Sequence, residues 1–224
     1  MRAMILAAGR GERLRPLTDQ VPKPLLYVGR RRLLDYQIFA LKRAGVSEIV
    51  VNVCWLGERI IDTLAGGAHY GIPIKISDER DAILGTAGGI KNALPLLGEE
   101  PFIVCNADVL TDFDYTDLAL DKNCLAKLVL VNNPSHNPAG DFALEDGLIT
   151  QSENERLTFS GIGIYSPELF HSIENSPAQL APVLRKLAAQ NQLAGEHFNG
   201  LWLDVGTPER LEAARQIATQ RELS

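Results

Sequence analysis

Cations crowd one short stretch near the start of the chain. Arg13, Arg15 and Lys23 lie within Leu6 to Leu26, which reads LAAGRGERLRPLTDQVPKPLL. The apolar run Ala3 to Ala8 before them suits a buried first strand, and Gly9 and Gly11 supply a turn. Glycines let a backbone approach a ligand closely and aim its amides at phosphate oxygens. The segment therefore reads as a triphosphate-gripping loop at the carboxyl end of a strand. A glycine turn alone would equally be an ordinary strand-to-loop connection with solvated arginines. The difference is Pro22-Lys23-Pro24. Proline fixes φ, so the two rings should hold Lys23 on a defined extended course, a restraint that a solvated lysine does not need. The third glycine of the dinucleotide fingerprint is missing, and no Gly-Lys-Ser/Thr follows, so neither familiar phosphate motif applies.

Two aspartates could supply the opposite charge. Asp108 follows the apolar run Phe102 to Cys105, and Asp204 stands before a glycine in Trp202-Leu203-Asp204-Val205-Gly206-Thr207. Carboxylates at the ends of parallel strands face the ligand crevice of open α/β sheets. Carboxylate and phosphate oxygens together suit Mg²⁺. On residue type alone Asp108 is as readily a turn cap, and Asp204 an Asx turn before the last helix. The two are far apart in the chain, so only the fold could join them. Thr86-Ala87-Gly88-Gly89 opens a helix whose amides could meet a nucleobase edge or a ribose, or Thr86 is simply its cap. Gly140-Asp141 on its own reads as a hairpin turn. Trp55 and Trp202 fit core or pocket wall.

The elements that must position these residues follow a βαβα rhythm. Strands are expected at Ala3 to Ala8, Glu48 to Val53, Ile72 to Ile76, Pro101 to Asn106 and Ala126 to Val131. Helices are expected at Leu33 to Ala44, Leu56 to Leu64 and Thr86 to Leu94, with one more short helix before Ala126. Shorter strands follow near Asp141 to Leu144, Leu148 to Gln151 and Phe159 to Tyr165. A helix fits Ala181 to Gln190, and a last one, capped by Thr207 with Pro208 in its first turn, runs to Thr219. This order argues a parallel or mixed sheet with helices on both faces.

Composition narrows the function classes. A formal charge of −6 argues against a nucleic-acid surface. No apolar run approaches the roughly 20 residues of a membrane span, and the chain enters its first strand with no signal peptide before it, so a cytoplasmic protein is expected. Cys54, Cys105 and Cys124 are an odd count without C-x-x-C spacing, as expected of apolar fillers in a reducing compartment. His69, His136, His171 and His197 show no ligand spacing.

The run Leu6 to Thr18 followed by Pro22-Lys23-Pro24-Leu25 resembles the sugar-1-phosphate nucleotidyltransferases, and the likeness extends over essentially all 224 residues. Ile76 to Arg80, Leu157 to Ile162 and Gly195 to Phe198 leading into Trp202 to Thr207 are similar to the short N-acetylmuramate-1-phosphate uridylyltransferases within that family. The resemblance implies a Rossmann-like mixed, mainly parallel sheet in one domain, residues 1–224. About 1–131 would form the nucleotide half and about 132–224 the sugar-phosphate half. It implies UTP and N-acetylmuramic acid 1-phosphate as substrates, in cell-wall sugar recycling. GTP with mannose 1-phosphate, or dTTP with glucose 1-phosphate, would keep the chemistry and change the pair. A catalytically dead nucleotide-sugar sensor and a phosphocholine-type cytidylyltransferase are rivals of other kinds.

The resemblance also implies roles. Ala8, Gly9, Gly11, Glu12, Arg13, Lys23, Thr86 and Gly88 would bind nucleotide, with Arg13, Lys23 and Asp108 catalytic. Asp108 and Asp204 would hold Mg²⁺. Asn106, Gly140, Asp141, Glu153 and Ser160, with Thr158 beside it, would meet the sugar. Two departures stand out. Gly85 occupies the place of an expected glutamate, in a Leu84 to Gly89 segment closer to guanylyl-transferring relatives. The Glu-Lys-Pro lysine that holds the sugar phosphate in larger relatives is absent, and Arg156 is the candidate substitute. Without the dimerising segments of those relatives, a monomer is expected.

Overall fold

A computed structural model describes residues 1–81, 84–152, 155–173 and 177–221. The elements run β1 (Arg2–Leu6), α1 (Leu17–Gln20), β2 (Tyr27–Val28), β3 (Arg31–Arg32), α2 (Leu33–Arg43), β4 (Glu48–Val53), α3 (Gly57–Leu64), β5 (Ile74–Asp78), α4 (Gly85–Leu97), β6 (Phe102–Asn106) and β7 (Val109–Thr111). They continue with β8 (Ala126–Val131), β9 (Ala143–Glu145), β10 (Leu148–Thr150), β11 (Thr158–Tyr165), α5 (Glu168–His171), α6 (Leu180–Ala189), β12 (Leu193–Phe198), β13 (Trp202–Asp204) and α7 (Pro208–Gln220).

Nine strands form one sheet in the order β5-β4-β1-β6-β11-β8-β12-β10-β9. The first four in that order are parallel. Then β11 lies antiparallel between β6 and β8, β8 and β12 are parallel, and β10 is antiparallel to β12 and β9. The sheet is thus mixed, with a parallel block of four strands at one side and the parallel pair β8 and β12 set among antiparallel neighbours. Side chains alternate across β1. Ala3 and Ile5 pack with Ile38, Leu41 and Ile60, while Met4 packs with Ala87 and Ile90 on the other face. Both faces are covered by helices, which is why these strands read as continuous apolar runs.

The short helix expected before Ala126 does not form. Among the described residues, that interval holds β7 and turns. Asp114 Oδ1 accepts from the amide and hydroxyl of Thr116, at 3.0 and 2.6 Å, an Asx turn that competes with helix. Strand β12, not foreseen, is inserted parallel beside β8.

Chain direction makes the crevice. From β1 the chain winds outward through β4 and β5, then returns to β6 on the other side of β1. The loops after β1 and β6 therefore diverge at a switch point, where open α/β sheets bind ligands. They are tied at their base, since the Ala107 amide donates to the Leu6 carbonyl at 3.1 Å. Beyond β6 the chain pairs β7 with β13 in a separate two-stranded ribbon, with Asp204 opposite Val109. A third apolar cluster packs beneath it. Leu14 of the cationic loop, Leu110 of β7, Val205 and Leu211 of α7 share that cluster.

Gln37 on α2 fixes the start of β7. Its Nε2 donates to the Val109 carbonyl at 2.7 Å, and its Oε1 accepts from the Tyr115 hydroxyl at 2.6 Å, all out of water. Gln37→Ala leaves two buried polar groups unpaired and should cost about 1–3 kcal/mol in urea unfolding. Wild-type stability in that variant would show that the contact contributes nothing.

Candidate active site

The cationic loop closes on itself. Gly11 has φ of 65°, and a Cβ there would stand 2.9 Å from Thr18 Cγ2 and 3.1 Å from Lys23 Cβ. A side chain at 11 would force the loop open. Thr18 Oγ1 donates to the Gly11 carbonyl at 2.8 Å, and Trp55 Nε1 donates to the Thr18 carbonyl at 3.0 Å. Trp55 thus braces the loop. Pro22 is extended, but Lys23–Leu25 forms a single 3₁₀ turn and not the extended course expected. Lys23 is 8% exposed, and its Nζ donates to Asp108 Oδ2.

The ribbon brings the second carboxylate alongside. The Val205 amide donates to the Asp108 carbonyl at 2.9 Å, next to the pairing of Asp204 with Val109. Asp204 has its own cation, for Arg210 Nη1 donates to its Oδ1. His136 stands beside this pair, with Nε2 2.8 Å from Arg210 Nη1 and 3.7 Å from Asp204 Oδ1. A Cβ on Gly206 would meet Arg210 Nη2 at 2.4 Å and Arg13 Nη2 at 2.9 Å, so the glycine makes room for both guanidiniums. Arg13 and Lys23 of the cationic loop, Asp108 after β6, and Asp204 with Arg210 around the end of β13 therefore converge from three parts of the chain. Neither Arg210 nor His136 was foreseen. Arg210 lies in the first turn of α7, where its spacing from Asp204 carries no recognisable pattern.

A cavity of about 490 Å³ opens at the ends of the parallel strands, with Asp108 and Lys23 in its wall. Ala8, Gly9, Gly85 and Thr86 also line it. Its floor is a buried polar row. Asn52, at the end of β4, accepts from the Ala7 amide at 2.7 Å and donates to Glu79 Oε1 at 2.9 Å. Burial raises the Glu79 carboxyl above its ordinary range, partly opposed by the bond from Asn52. Neither residue carries a role in the sequence reading: Asn52 lies near the end of the apolar strand β4, and Glu79 falls only within the resembling stretch Ile76 to Arg80.

A second cavity, of about 280 Å³, adjoins the first through Leu6, Thr86, Asn106 and Gln179. Asn106, Asp141 and Gly161 line it. Asp141 Oδ2 accepts from the Phe159 amide at 2.8 Å. Gly161 has φ of 80°, and a Cβ there would lie 2.3 Å from Asn106 Nδ2, so this glycine seats the Asn106 amide.

Several expected contacts do not line either cavity. The Gly88 amide, with that of Ala87, is taken by the Ala178 carbonyl at 3.2 and 2.9 Å, so the start of α4 is already capped by backbone. Ser160 Oγ donates to the Val129 carbonyl at 2.6 Å and accepts from the Ile162 amide at 3.1 Å, spending its hydroxyl on the irregularity between Phe159 and Ile162. Thr158 is engaged by Asn133 and Asn137. Gly140, φ 65°, sits against the Arg156 backbone and shapes the turn before Asp141. Arg156 Nε donates to the Ser152 carbonyl at 3.0 Å, outside both cavities. Glu12 is exposed at the start of a 3₁₀ turn. Glu153 lies outside the described residues. Gly85 has a local reason: with φ of 69°, a Cβ there would lie 2.6 Å from the Ala178 oxygen. A glutamate would not fit beneath that carbonyl.

The family model described as Nucleotidyl transferase matches residues 2–156. The chain belongs to that family. It is 52% identical over 227 residues to N-acetylmuramate alpha-1-phosphate uridylyltransferase of Neisseria meningitidis serogroup B, covering 97% of this chain and 98% of that protein. Mannose-1-phosphate guanyltransferase beta-A of Xenopus laevis is 32% identical, covering 93% of this chain and 62% of that one. A Bacillus anthracis structure assigned as a glucose-1-phosphate thymidylyltransferase superposes with a TM-score of 0.85 at 19% identity, covering 97% and 95% of the two chains, which establishes a shared fold. Among the described residues no helix is long and apolar enough to cross a membrane.

The buried Glu79 carboxyl yields a test of sign. Its folded pKa is raised, so the folded state binds the proton more tightly than the unfolded state does. Stability from this group is then highest below the unfolded pKa of about 4.3 and falls as pH rises through the folded value. Glu79→Gln removes that loss and can keep the bond from Asn52. Its melting temperature, relative to wild type, should rise between pH 4 and pH 8. A pH-independent difference would mean Glu79 stays ionised.

Proposed function

We propose that the chain transfers a uridylyl group from UTP to N-acetylmuramic acid 1-phosphate, releasing pyrophosphate, in the reuse of cell-wall sugars. The observation that carries this reading is the near-full-length likeness to the Neisseria uridylyltransferase. The Gly85 departure does not favour the guanylyl alternative, because the Ala178 carbonyl alone requires glycine there. The sensor alternative has no support from a lost residue, since Lys23, Asp108 and Asp204 are all present in the sequence.

The chemistry follows from charge. A sugar phosphate is already an anionic nucleophile at neutral pH, its second pKa being about 6. Its oxygen forms a bond to the α-phosphorus while the bond to pyrophosphate breaks, so no protein base is required. The difficulty is bringing two polyanions together, which calls for positioning and preorganised positive charge. In this reading Arg13 and the loop amides hold the β- and γ-phosphates. Lys23 serves the α-phosphate as a point charge. Gly85, Thr86, Ala8 and the Asn52–Glu79 row border the space for base and ribose. Asp141 and Asn106 orient the sugar.

Asp108 and Asp204 would hold Mg²⁺. The donor set fits: two adjacent carboxylates, each balanced by a cation, leave coordination places for phosphate oxygens, as this ion prefers. Among the described residues no group of three or more His, Cys, Asp or Glu is arranged to hold a metal, so phosphate oxygens and water would supply the remaining ligands. The ion supplies Lewis-acid neutralisation of phosphate charge when bound.

The test is pyrophosphate release with Mg²⁺ across five nucleoside triphosphates and a panel of sugar 1-phosphates. UTP with N-acetylmuramic acid 1-phosphate should dominate, and a dominant GTP and mannose 1-phosphate signal would overturn the substrate assignment. Lys23→Ala should lower kcat/KM by about 2–4 kcal/mol, comparable to losing one preorganised oxyanion donor. Full activity in that variant would remove Lys23 from the mechanism.

A further inference from the structure

The second cavity holds a cation that the reaction above does not use. Its walls are mostly apolar, with Phe142, Phe159, Leu180 and Leu184 among them. Arg185 also lines it, from the same side of α6 as Ala181, one helical turn earlier. The Arg185 backbone carbonyl accepts from Gln151 Nε2 at 3.0 Å, which ties this part of α6 to the segment after β10. Among the described residues no carboxylate pairs with the Arg185 guanidinium. The Asp141 carboxylate lines the same cavity, but it is turned to the Phe159 amide. Arg185 is exposed at the mouth of the cavity, and with no carboxylate on it among the described residues its planar fork is open to a carboxylate that a ligand brings against the apolar walls.

The site has a direction. Asn106 marks the boundary with the first cavity, two residues from Asp108, so the phosphate of an acceptor belongs at that end. The α6 side then faces the substituents of the sugar ring. N-acetylmuramic acid differs from N-acetylglucosamine by a lactyl ether on O3, which adds one methyl and one carboxylate. We propose that Arg185 binds this carboxylate and sets the preference for a carboxylate-bearing sugar 1-phosphate, with the apolar wall receiving the methyl. The inference rests on the proposed acceptor.

The test compares N-acetylmuramic acid 1-phosphate with N-acetylglucosamine 1-phosphate in wild type, Arg185→Ala and Arg185→Lys. Arg185→Ala should raise KM for the muramic substrate about 10- to 100-fold, the loss of a charged hydrogen-bonded pair. KM for the glucosamine substrate should stay within about twofold, and Arg185→Lys should restore part of the muramic affinity. Calorimetric binding of UDP-N-acetylmuramic acid and UDP-N-acetylglucosamine should show the same split without turnover. A merely structural arginine would move both sugars alike, and equal losses or no change would overturn the proposal. A wild-type enzyme inactive on the muramic substrate would instead overturn the function on which it rests. Wild-type activity with an unchanged preference in Arg185→Ala would overturn Arg185 alone.

Discussion

The site depends on the closure of β13 against β7. Asp108 leaves the sheet at the end of β6, and Asp204 arrives only after the chain has built β8 to β12. Their meeting is fixed by the Val205 amide on the Asp108 carbonyl and by the pairing of Asp204 with Val109. The ribbon is too short to hold itself, since an isolated two-stranded pair is marginal in water. Its stability comes from the cluster beneath it, where Leu110, Val205 and Leu211 pack with Leu14. Because Leu14 sits between Arg13 and Arg15, the same small core sets the cationic loop against the carboxylates. Geometry at the site is therefore a packing property.

Charge balance explains why two carboxylates can share so confined a place. A partly buried carboxylate without a partner is costly, and a second one nearby adds repulsion. Here each has its own counter-ion: Lys23 for Asp108, and Arg210 for Asp204. Under the proposed function, Asp108 and Asp204 would hold a divalent cation, and Lys23 and Arg210 would then face phosphate oxygens. The free protein would then already hold the positive charge that two polyanionic substrates need. Arg210 also bears on the missing Glu-Lys-Pro lysine, because Arg156 is engaged elsewhere while Arg210 and Arg13 flank Gly206.

What the sequence revealed was local. The turn at Gly9 and Gly11 was legible because glycine frees the backbone, although the prolines about Lys23 give a 3₁₀ turn and not an extended course, and strand-end aspartates were legible because apolar runs locate strand ends. The helix before α7 and α7 itself fell within a residue or so of expectation, from spacing and from Thr207 with Pro208. What stayed hidden depends on distant partners. Asn52 and Glu79 form a row only because β4 and β5 end side by side. Ser160 looked like a sugar ligand until the irregularity in β11 claimed its hydroxyl. Gly85 looked like a nucleobase signal until the Ala178 carbonyl was found above it. Arg210 and Arg185 are ordinary helix arginines by pattern, and the surfaces they face are made by other elements.

The most direct test of the account is metal binding by the carboxylate pair. Electron paramagnetic resonance would follow Mn²⁺ titrated into the protein with a non-hydrolysable UTP analogue, for wild type, Asp108→Asn and Asp204→Asn. The account predicts tight nucleotide-dependent Mn²⁺ binding in wild type and a loss of at least about tenfold in each variant alone, in keeping with removal of one direct ligand. Unchanged binding in Asp204→Asn would contradict it, because the closure of β13 on β7 would then bring nothing to the metal.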